Sequence, residues 1–415
     1  MLAGQFGVTV LGLAALRVVT EILDPVVYGT VALILAGLGL GKGMFLAPWL
    51  AAQLRFHPDA RRSGGLRSLY GAVSGMCALG VLLAATVVSL GLGLTVAGLR
   101  GIGAPILLAV AGVWLAADGG ISLVLNYLNA ELRQGLLAAV RVTDAFLRPA
   151  VAIVAVVLLA GGAVLFVAGQ AAGALLLVTF AAAILLRSRG TKGKREAAPS
   201  GRSRWRGRIL RYGMPLVPMA ILQWAIHLGD RYILEFFHGS QEVGLYSAAY
   251  GLASQPFLML SGVATLLIRP RLFESIGEDS KSALRYRRVW LGTLLLVGGM
   301  GLVLLIILHQ WIARILLAEE YRTAAGLIPI IGAAYLMLAM GQGLENWAMA
   351  ENRTRRILAA GIVSMLVSIG SALLLIPRFG SDGAAWATLL GLGSYAGAIL
   401  VAESASHIGA KRMAK

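Results

Sequence analysis

The stretch that decides the fold is RYGMPLVPMAILQWAIHLGDRYILEFFHGSQEVGLYSAAYGLASQPF, residues 211–257. Its first half is an apolar run long enough to cross a bilayer, which takes about 20 residues. A short polar turn, HGSQE at 238–242, follows it, and a second apolar run begins at 243. The stretch therefore predicts two membrane-spanning helices, at 211–235 and 243–267, joined by a tight turn.

Apolar runs of this kind recur through the whole chain. Of the 415 residues, 58% are hydrophobic and only 13% are charged, whereas soluble domains are about 25% charged. This composition excludes an ordinary soluble enzyme, and a disordered chain would have low hydrophobicity. We therefore predict an all-α polytopic membrane protein with about twelve spanning helices. They lie at 2–20, 27–52, 68–92, 104–130, 138–160, 163–186, 211–235, 243–267, 288–309, 325–349, 356–377 and 383–405.

The basic residues indicate the topology. The chain carries 36 Lys and Arg against 19 Asp and Glu, a formal net charge of +17. In a soluble protein this excess would suggest nucleic acid. Here 28 of the 36 basic residues fall in the even-numbered gaps, their margins and the C-terminal tail, and five fall in the odd-numbered gaps. Because basic residues concentrate in cytoplasmic loops, we predict cytoplasmic termini and no nucleic-acid partner.

A long hydrophilic stretch near the middle suggests two halves. We predict an N-terminal six-helix bundle at 1–186, a basic cytoplasmic linker at 187–210, and a C-terminal six-helix bundle with a short basic tail at 211–415. The linker is also a candidate for contact with anionic lipid headgroups. Gly29 and Gly244 take matching positions near the starts of the second and eighth helices, which favours an internal repeat. Transporters commonly bind substrate between such repeats.

Several short motifs resemble those of one membrane protein family. Residues 22–35, ILDPVVYGTVALIL, look like its first outer turn, and FGSDGAAWATLLG at 379–391 looks like its last hairpin, with Phe379 in place of a tyrosine. The strongest matches lie in 211–257, at Tyr212-Gly-x-Pro215, Asp230-Arg231-Tyr232, Val243-Gly244-x-Tyr246 and the Ser-Ala-Ala-Tyr run that ends at Tyr250. These motifs resemble the polysaccharide-transporter (O-antigen, or lipid-linked oligosaccharide, flippase) family of the multidrug/oligosaccharidyl-lipid/polysaccharide exporter superfamily.

The resemblance implies a fold and a cargo. It implies two helix bundles in a V, as in MATE transporters, around a cavity that opens to each side of the bacterial cytoplasmic membrane in turn. It also implies an undecaprenyl-diphosphate-linked oligosaccharide as cargo, for surface polysaccharide synthesis. The implied partners are this substrate and membrane lipids, with a polysaccharide polymerase and glycosyltransferases as further candidates. The energy source (proton, sodium or membrane potential) and the sugars of the glycan stay open.

Charged residues at membrane depth are candidates for function. In the first half, Arg148 and Lys42 lie roughly 15 Å from the inner face, Asp118 roughly 18 Å and Asp144 roughly 9 Å, at 1.5 Å per helical residue. Arg141 lies at the start of the fifth predicted helix, and Arg141, Asp144 and Arg148 share one helix face.

Two interpretations of this group of charges stay open. The guanidinium and ammonium groups are suited to binding a diphosphate, and the carboxylates would keep the anion from binding too tightly. The alternative is that these charges pair with one another or reach the inner interface.

Polar residues in the second half give further candidates. Asp230 and Arg231 lie near the outer interface, either as an anchor or ion pair, or as an outer gate or second anion contact. His227 is a candidate for proton coupling or a hydrogen-bonded bundle residue. Gln255 precedes Pro256, and its side chain could hydrogen-bond the backbone groups that the proline leaves without a partner. The position of Glu345 near the inner face indicates a role in helix capping or at the membrane interface.

Other functions have less support in the sequence. The single cysteine and five histidines show no metal-ligand spacing, so we expect no metal. The sequence shows no Walker motif, no interpretable pair of catalytic carboxylates and no Ser-His-Asp order, so we also expect no cofactor and no enzymatic activity. A multidrug exporter of cations would need an acidic cavity, whereas the charges within the first-half helices are net positive. A membrane glycan polymerase or ligase would need a sizeable external loop, and the predicted outer gaps are short.

Overall fold

The chain is helical throughout the part that the computed structural model describes, residues 2–96, 99, 102–188, 200–278, 280–351 and 353–413. The first half forms α1 (Leu2–Ile22), α2 (Pro25–Phe45), α3 (Ala47–Arg62), α4 (Leu66–Thr95), α5 (Ala104–Ala130), α6 (Gln134–Leu159), α7 (Ala163–Ser188) and α8 (Ser200–Gly213). The second half forms α9 (Leu216–His238), α10 (Ser240–Glu278), α11 (Ser280–Thr293), α12 (Gly299–Leu316), α13 (Leu327–Ala350) and α14 (Thr354–Met413). A π-helical segment, Leu294–Gly298, joins α11 to α12, and a 3-10 helix, Glu319–Gly326, precedes α13.

The helices are numerous and apolar enough for a polytopic membrane protein, as predicted. In the described residues ten are long and apolar enough to cross a membrane, and a bent pair, Arg204–Gly213 with Leu216–His238, raises the number to eleven. The α14 run contains two helices joined at Gly380, and counting them separately gives the twelve that were predicted. The side of the membrane on which the termini lie stays a prediction.

The break in α14 depends on a glycine. Gly380 has φ 55° and ψ −130°, a backbone conformation that residues with a Cβ rarely adopt. Pro377 lies three residues earlier and removes one helical N–H donor. The two helices predicted at 356–377 and 383–405 are therefore separated by a sharp turn at this point.

Two helices depart from the predicted pattern. The second predicted helix, 27–52, ends at Phe45, and the separate helix α3 begins with Pro48 in its first turn, where proline is tolerated. Residues 200–210, predicted as part of a linker, belong to the arginine-rich helix α8. The linker residues 189–199 lie outside the described residues.

The chain packs as two compact units. The first comprises Met1–Leu23 and Thr30–Trp224, and the second comprises Asp24–Gly29 and Ala225–Lys415. In the first unit α6 packs against α1 and α7, and α5 packs against α4 and α7. In the second unit α13 packs against α10 and α14. The predicted boundaries at 186 and 210 both lie inside the first unit, and the division into two six-helix bundles stays a prediction.

The two glycines that suggested an internal repeat contact each other in the second unit. A Cβ atom on Gly29 would clash with the carbonyl oxygen of Ser240, and a Cβ atom on Gly244 would clash with that of Pro25. The start of α2 therefore crosses the start of α10 with backbone against backbone. Small residues allow such close approach within membranes, where van der Waals packing drives helix association.

Replacement of Gly244 by alanine is expected to destabilise the protein, because the new methyl group would meet backbone that cannot rotate away. Overpacking of this kind costs about 1–3 kcal/mol, which we expect to lower the thermal unfolding midpoint in detergent. Gly301→Ala is the matched control, since a Cβ atom at Gly301 on α12 would meet nothing within 4 Å. Equal midpoints for the two variants would contradict the close crossing.

Candidate functional site

Four of the predicted site residues form one charged group in the first unit. Asp118 on α5 forms ion pairs with two cations, with its Oδ2 2.6 Å from Lys42 Nζ and its Oδ1 3.0 Å from Arg148 Nη1. The second carboxylate, Asp144, lies one turn before Arg148 on α6, and its Oδ1 is 2.7 Å from Arg148 Nε. We call Lys42, Asp118, Asp144 and Arg148 the charge cluster.

Local packing fixes the position of Arg148. The next residue, Pro149, lies inside α6 and removes a helical N–H donor. On α7, a Cβ atom on Gly173 would lie 3.1 Å from the Arg148 Cα, so the glycine lets α7 approach the α6 backbone at this point. The Arg148 guanidinium also lies 5.9 Å from the ring of Trp114 on α5, within the range of a cation–π interaction.

The charge cluster is formally neutral, with two cations and two carboxylates. Lys42 is the more accessible cation, with 35% of its side chain exposed against 14% for Arg148. Arg148 uses Nε and Nη1 toward the carboxylates, and a guanidinium has five N–H donors. Both cations can therefore accept a further anion, or exchange a carboxylate for one.

Arg141 is not part of the charge cluster. Its side chain is exposed at the start of α6, two turns before Arg148, and it has no ion pair within the described residues. Of the three residues predicted to share one face of this helix, Asp144 and Arg148 therefore belong to the charge cluster and Arg141 does not.

A second polar group lies buried in the second unit, around Asp230 on α9. Its Oδ2 accepts hydrogen bonds from Tyr246 at 2.5 Å and from Thr388 at 3.1 Å, and its Oδ1 accepts from the backbone N–H of Arg231 at 2.9 Å. Tyr250 lies one turn after Tyr246 on α10. We call Asp230, Arg231, Tyr246, Tyr250, Tyr335 and Thr388 the tyrosine cluster.

Arg231 lies against an aromatic ring rather than beside a carboxylate. Its guanidinium lies 4.8 Å from the ring of Tyr250, and Tyr335 on α13 donates a 2.6 Å hydrogen bond to the Tyr250 hydroxyl. Within the described residues no ion pair joins the Arg231 and Asp230 side chains, and Arg231 Nε is buried without a hydrogen-bond partner. The tyrosine cluster therefore holds a cation with an unused donor.

The remaining predicted residues lie apart from both clusters or at their edges. The backbone carbonyl of His227 accepts a 3.1 Å hydrogen bond from Tyr250. Glu345 on α13 accepts a 2.8 Å hydrogen bond from Tyr395 on α14, which joins these two helices. Gln255 is half-buried on α10 and forms no side-chain hydrogen bond in the described part of the chain.

Five residues in or beside these clusters were not predicted as site residues. Tyr246 and Tyr250 are four residues apart, a spacing that places them on one face of α10 and could have indicated their role. Trp114 and Tyr335 carry no such signal, because both lie in continuous apolar runs. Thr388 likewise reaches Asp230 only through the packing of α14.

A metal centre finds no support in the described residues, where no group of three His, Cys, Asp or Glu side chains is placed to hold an ion. The absence of a cofactor stays a prediction.

Solved structures of membrane transporters share this fold. The structure described as lipid II flippase MurJ, inward closed conformation, superposes with a TM-score of 0.75 at 15% identity, over 97% of this chain and 87% of that one. An inward-facing multidrug resistance MATE family transporter gives a TM-score of 0.63 at 15% identity, over 100% and 95%. A mutant of the Vibrio cholerae MATE transporter VcmN gives 0.61 at 16% identity, over 98% and 94%. These likenesses show the fold.

The family assignment comes from the sequence. A search of the curated proteins finds no match. The profile of the family described as polysaccharide biosynthesis protein matches residues 1–276, about two thirds of the chain. The chain, with its many membrane-spanning helices and its charge cluster within them, therefore belongs to the polysaccharide biosynthesis protein family.

Proposed function

We propose that the protein is a flippase that moves an undecaprenyl-diphosphate-linked oligosaccharide across the bacterial cytoplasmic membrane by alternating access. The observation that carries this proposal is the charge cluster, in which Arg148 and Lys42 lie within membrane-spanning helices and are held by two carboxylates. The family match supports a role in surface polysaccharide synthesis.

The charge cluster suits a cargo that must enter and then leave. A diphosphate loses its hydration as it enters a low-dielectric path, and guanidinium and ammonium groups replace the lost water contacts. An unpaired cation at this depth would be costly, so Asp118 and Asp144 pair with the cations while the site is empty. A diphosphate would then exchange places with a carboxylate, and the carboxylate would return as the diphosphate leaves.

The same pairing argues against a cation exporter. A cationic drug would need carboxylates without a partner, whereas both carboxylates of the charge cluster contact Arg148. Transport of cationic dyes by the purified protein in vesicles would favour the exporter over the flippase.

Complementation of a flippase-deficient bacterium is the direct test. We expect the gene to restore surface polysaccharide and to remove the lipid-linked glycan that accumulates in the deficient strain. Restored polysaccharide in a polymerase-deficient strain instead would show that the protein is a polymerase. Glycosyltransferases and a polymerase are the enzymes that would make and use the proposed cargo.

Asp230 is our candidate for coupling transport to an ion gradient. It accepts hydrogen bonds from α10 and α14, so a proton or cation at this carboxylate would change how these helices are held together. Asp230→Asn is expected to destabilise the protein by about 1–3 kcal/mol, because asparagine has one acceptor oxygen where Asp230 uses two, so its NH₂ must face either the two hydroxyls or the N–H of Arg231. We also expect it to abolish any stimulation of transport by a proton or sodium gradient.

The measurement uses proteoliposomes in which each gradient is imposed separately. Glu345→Gln is the comparison, because Glu345 accepts one hydrogen bond from one hydroxyl. If Asp230→Asn responds to both gradients as the unchanged protein does, Asp230 is not the coupling residue.

A further inference from the structure

A cavity of about 510 Å³ lies in the first unit, where α8 packs beside the end of α3. It is separate from the charge cluster. Its lining residues are mostly basic or polar and come from both helices and the turn that follows α3. They are Asp59, Arg62, Ser63, Arg204, Trp205 and Arg208.

One arginine of this cavity is fixed in place. Arg208 Nη2 donates a 2.9 Å hydrogen bond to Asp59 Oδ2. Its guanidinium also lies 4.6 Å from the ring of Phe56 and 4.8 Å from the ring of Trp205. Because Arg208 is held on three sides, the cavity has a preformed cationic wall.

The other two arginines are available to a ligand. Arg62 and Arg204 are exposed, and within the described residues neither has an acidic partner. With Asp59 as the single acidic group, the three arginines give the cavity a formal net charge of +2. Guanidinium groups bind phosphate oxygens in bidentate fashion, so this lining favours a phosphate group over a neutral ligand.

The position of α8 is itself fixed by packing. Trp205 and Ile209 are buried, at 7% and 0% exposed. At the end of the helix, a Cβ atom on Gly213 would lie 2.7 Å from the ring of Trp49, so α8 closely approaches α3. The arginines of α8 are therefore presented from a docked helix.

The cavity also lies beside the ends of two membrane-spanning helices. Ser63 comes three residues before α4, and α8 leads directly into α9. Basic, amphipathic segments next to spanning helices lie at the membrane surface and attract anionic lipid headgroups.

We propose that this cavity binds a phosphate group, with Arg62 and Arg204 as the ligand-contacting residues and Arg208 as the fixed wall. An anionic phospholipid headgroup and a soluble phosphate compound share this chemistry. The proposal does not depend on the flippase assignment.

The experiment is native mass spectrometry of the purified full-length protein in detergent, titrated with phosphatidylglycerol, with phosphatidylcholine, and with inorganic phosphate. In the cavity variant, Arg62→Gln with Arg204→Gln, we expect phosphatidylglycerol to bind about 25-fold more weakly, since each lost basic residue weakens binding about five-fold. The matched control is Arg206→Gln with Arg211→Gln, which removes the same charge from exposed positions on α8 that do not line the cavity.

The three titrations distinguish the sources of phosphate. Binding of phosphatidylglycerol but not phosphatidylcholine, weakened only in the cavity variant, supports the site with a lipid headgroup. Binding of inorganic phosphate that is lost only in the cavity variant supports the site with a soluble ligand. Equal weakening in the two variant pairs, or no weakening in either, overturns the proposal.

A second variant tests the proposal even if the double arginine variant misfolds. Ser63→Asp adds a negative charge to the cavity wall while all three arginines remain, and we expect it to weaken binding at least five-fold. Unchanged binding in Ser63→Asp would count against the proposal even if the double arginine variant could not be purified.

Discussion

Replacement of Arg148 by alanine is expected to abolish export of the lipid-linked glycan while the protein stays in the membrane. Among the residues that the structure describes, Arg148 is the only one that forms ion pairs with both carboxylates of the charge cluster. Without it, Asp144 loses its ion-pair partner, Asp118 keeps only Lys42, and the formal charge of the cluster changes from zero to −1. Hydrogen bonds to charged groups contribute about 1.5–3 kcal/mol each. Loss of two such contacts to a diphosphate should therefore lower export at least 100-fold.

The measurement is complementation of a flippase-deficient strain, with accumulated lipid-linked glycan and the amount of protein in the membrane both recorded. Arg133→Ala is the matched control, since Arg133 is exposed just before α6 and lies outside the charge cluster. Arg148→Lys should give intermediate export, because a single ammonium keeps the charge but lacks the fork geometry. Undiminished complementation by Arg148→Ala would refute an anion site at Arg148.

The helical architecture was predictable because length and apolar content alone determine which segments can cross a membrane. The same criterion fails for α3 and α8. These helices bury only one face, and in α8 the large buried side chains described are Trp205 and Ile209, among many arginines. A short, polar helix of this kind has the composition of a linker, and its docking against α3 depends on contacts that are distant in sequence.

The membership of the charge cluster was predictable in part. Depth follows from counting residues along a helix, and the four-residue spacing of Asp144 and Arg148 places them together. The contacts of Asp118 with Lys42 and Arg148 join three helices. The packing of these helices sets how each is rotated about its own axis, and this rotation cannot be read from the sequence. The exclusion of Arg141 has the same cause.

The tyrosine cluster was harder to predict because its members come from distant segments. Thr388 lies 158 residues from Asp230 along the chain, and Tyr335 lies 85 residues from Tyr250. The neighbouring Asp230 and Arg231 suggested an ion pair, but adjacent side chains on a helix point in different directions. Asp230 is therefore bonded to hydroxyl groups, and Arg231 lies against an aromatic ring.

Replacement of Asp118 by asparagine is expected to have the opposite effect on binding from the Arg148 variant, and the same effect on export. Asp118 is the carboxylate that contacts both cations. Asparagine keeps its shape but removes its charge, so the cluster becomes formally +1 and Lys42 loses its anionic partner. The interaction of the diphosphate with one additional net positive charge at about 4 Å contributes roughly 1 kcal/mol in bulk water and roughly 4 kcal/mol near a protein surface. We therefore expect undecaprenyl diphosphate to bind the variant at least about five-fold more tightly.

Tighter binding should slow export, because a cargo that no carboxylate can displace remains bound. The two quantities are measured separately, as equilibrium binding of undecaprenyl diphosphate in detergent and as glycan export in the complemented strain. Asp144→Asn is the comparison, because Asp144 forms its ion pair with Arg148, so its replacement leaves the Lys42–Asp118 pair intact. Its effect on binding should be smaller. If Asp118 only holds the helices together, Asp118→Asn will lower both binding and export. A rise in binding with a fall in export is expected only if the carboxylate and the diphosphate compete for the same cations.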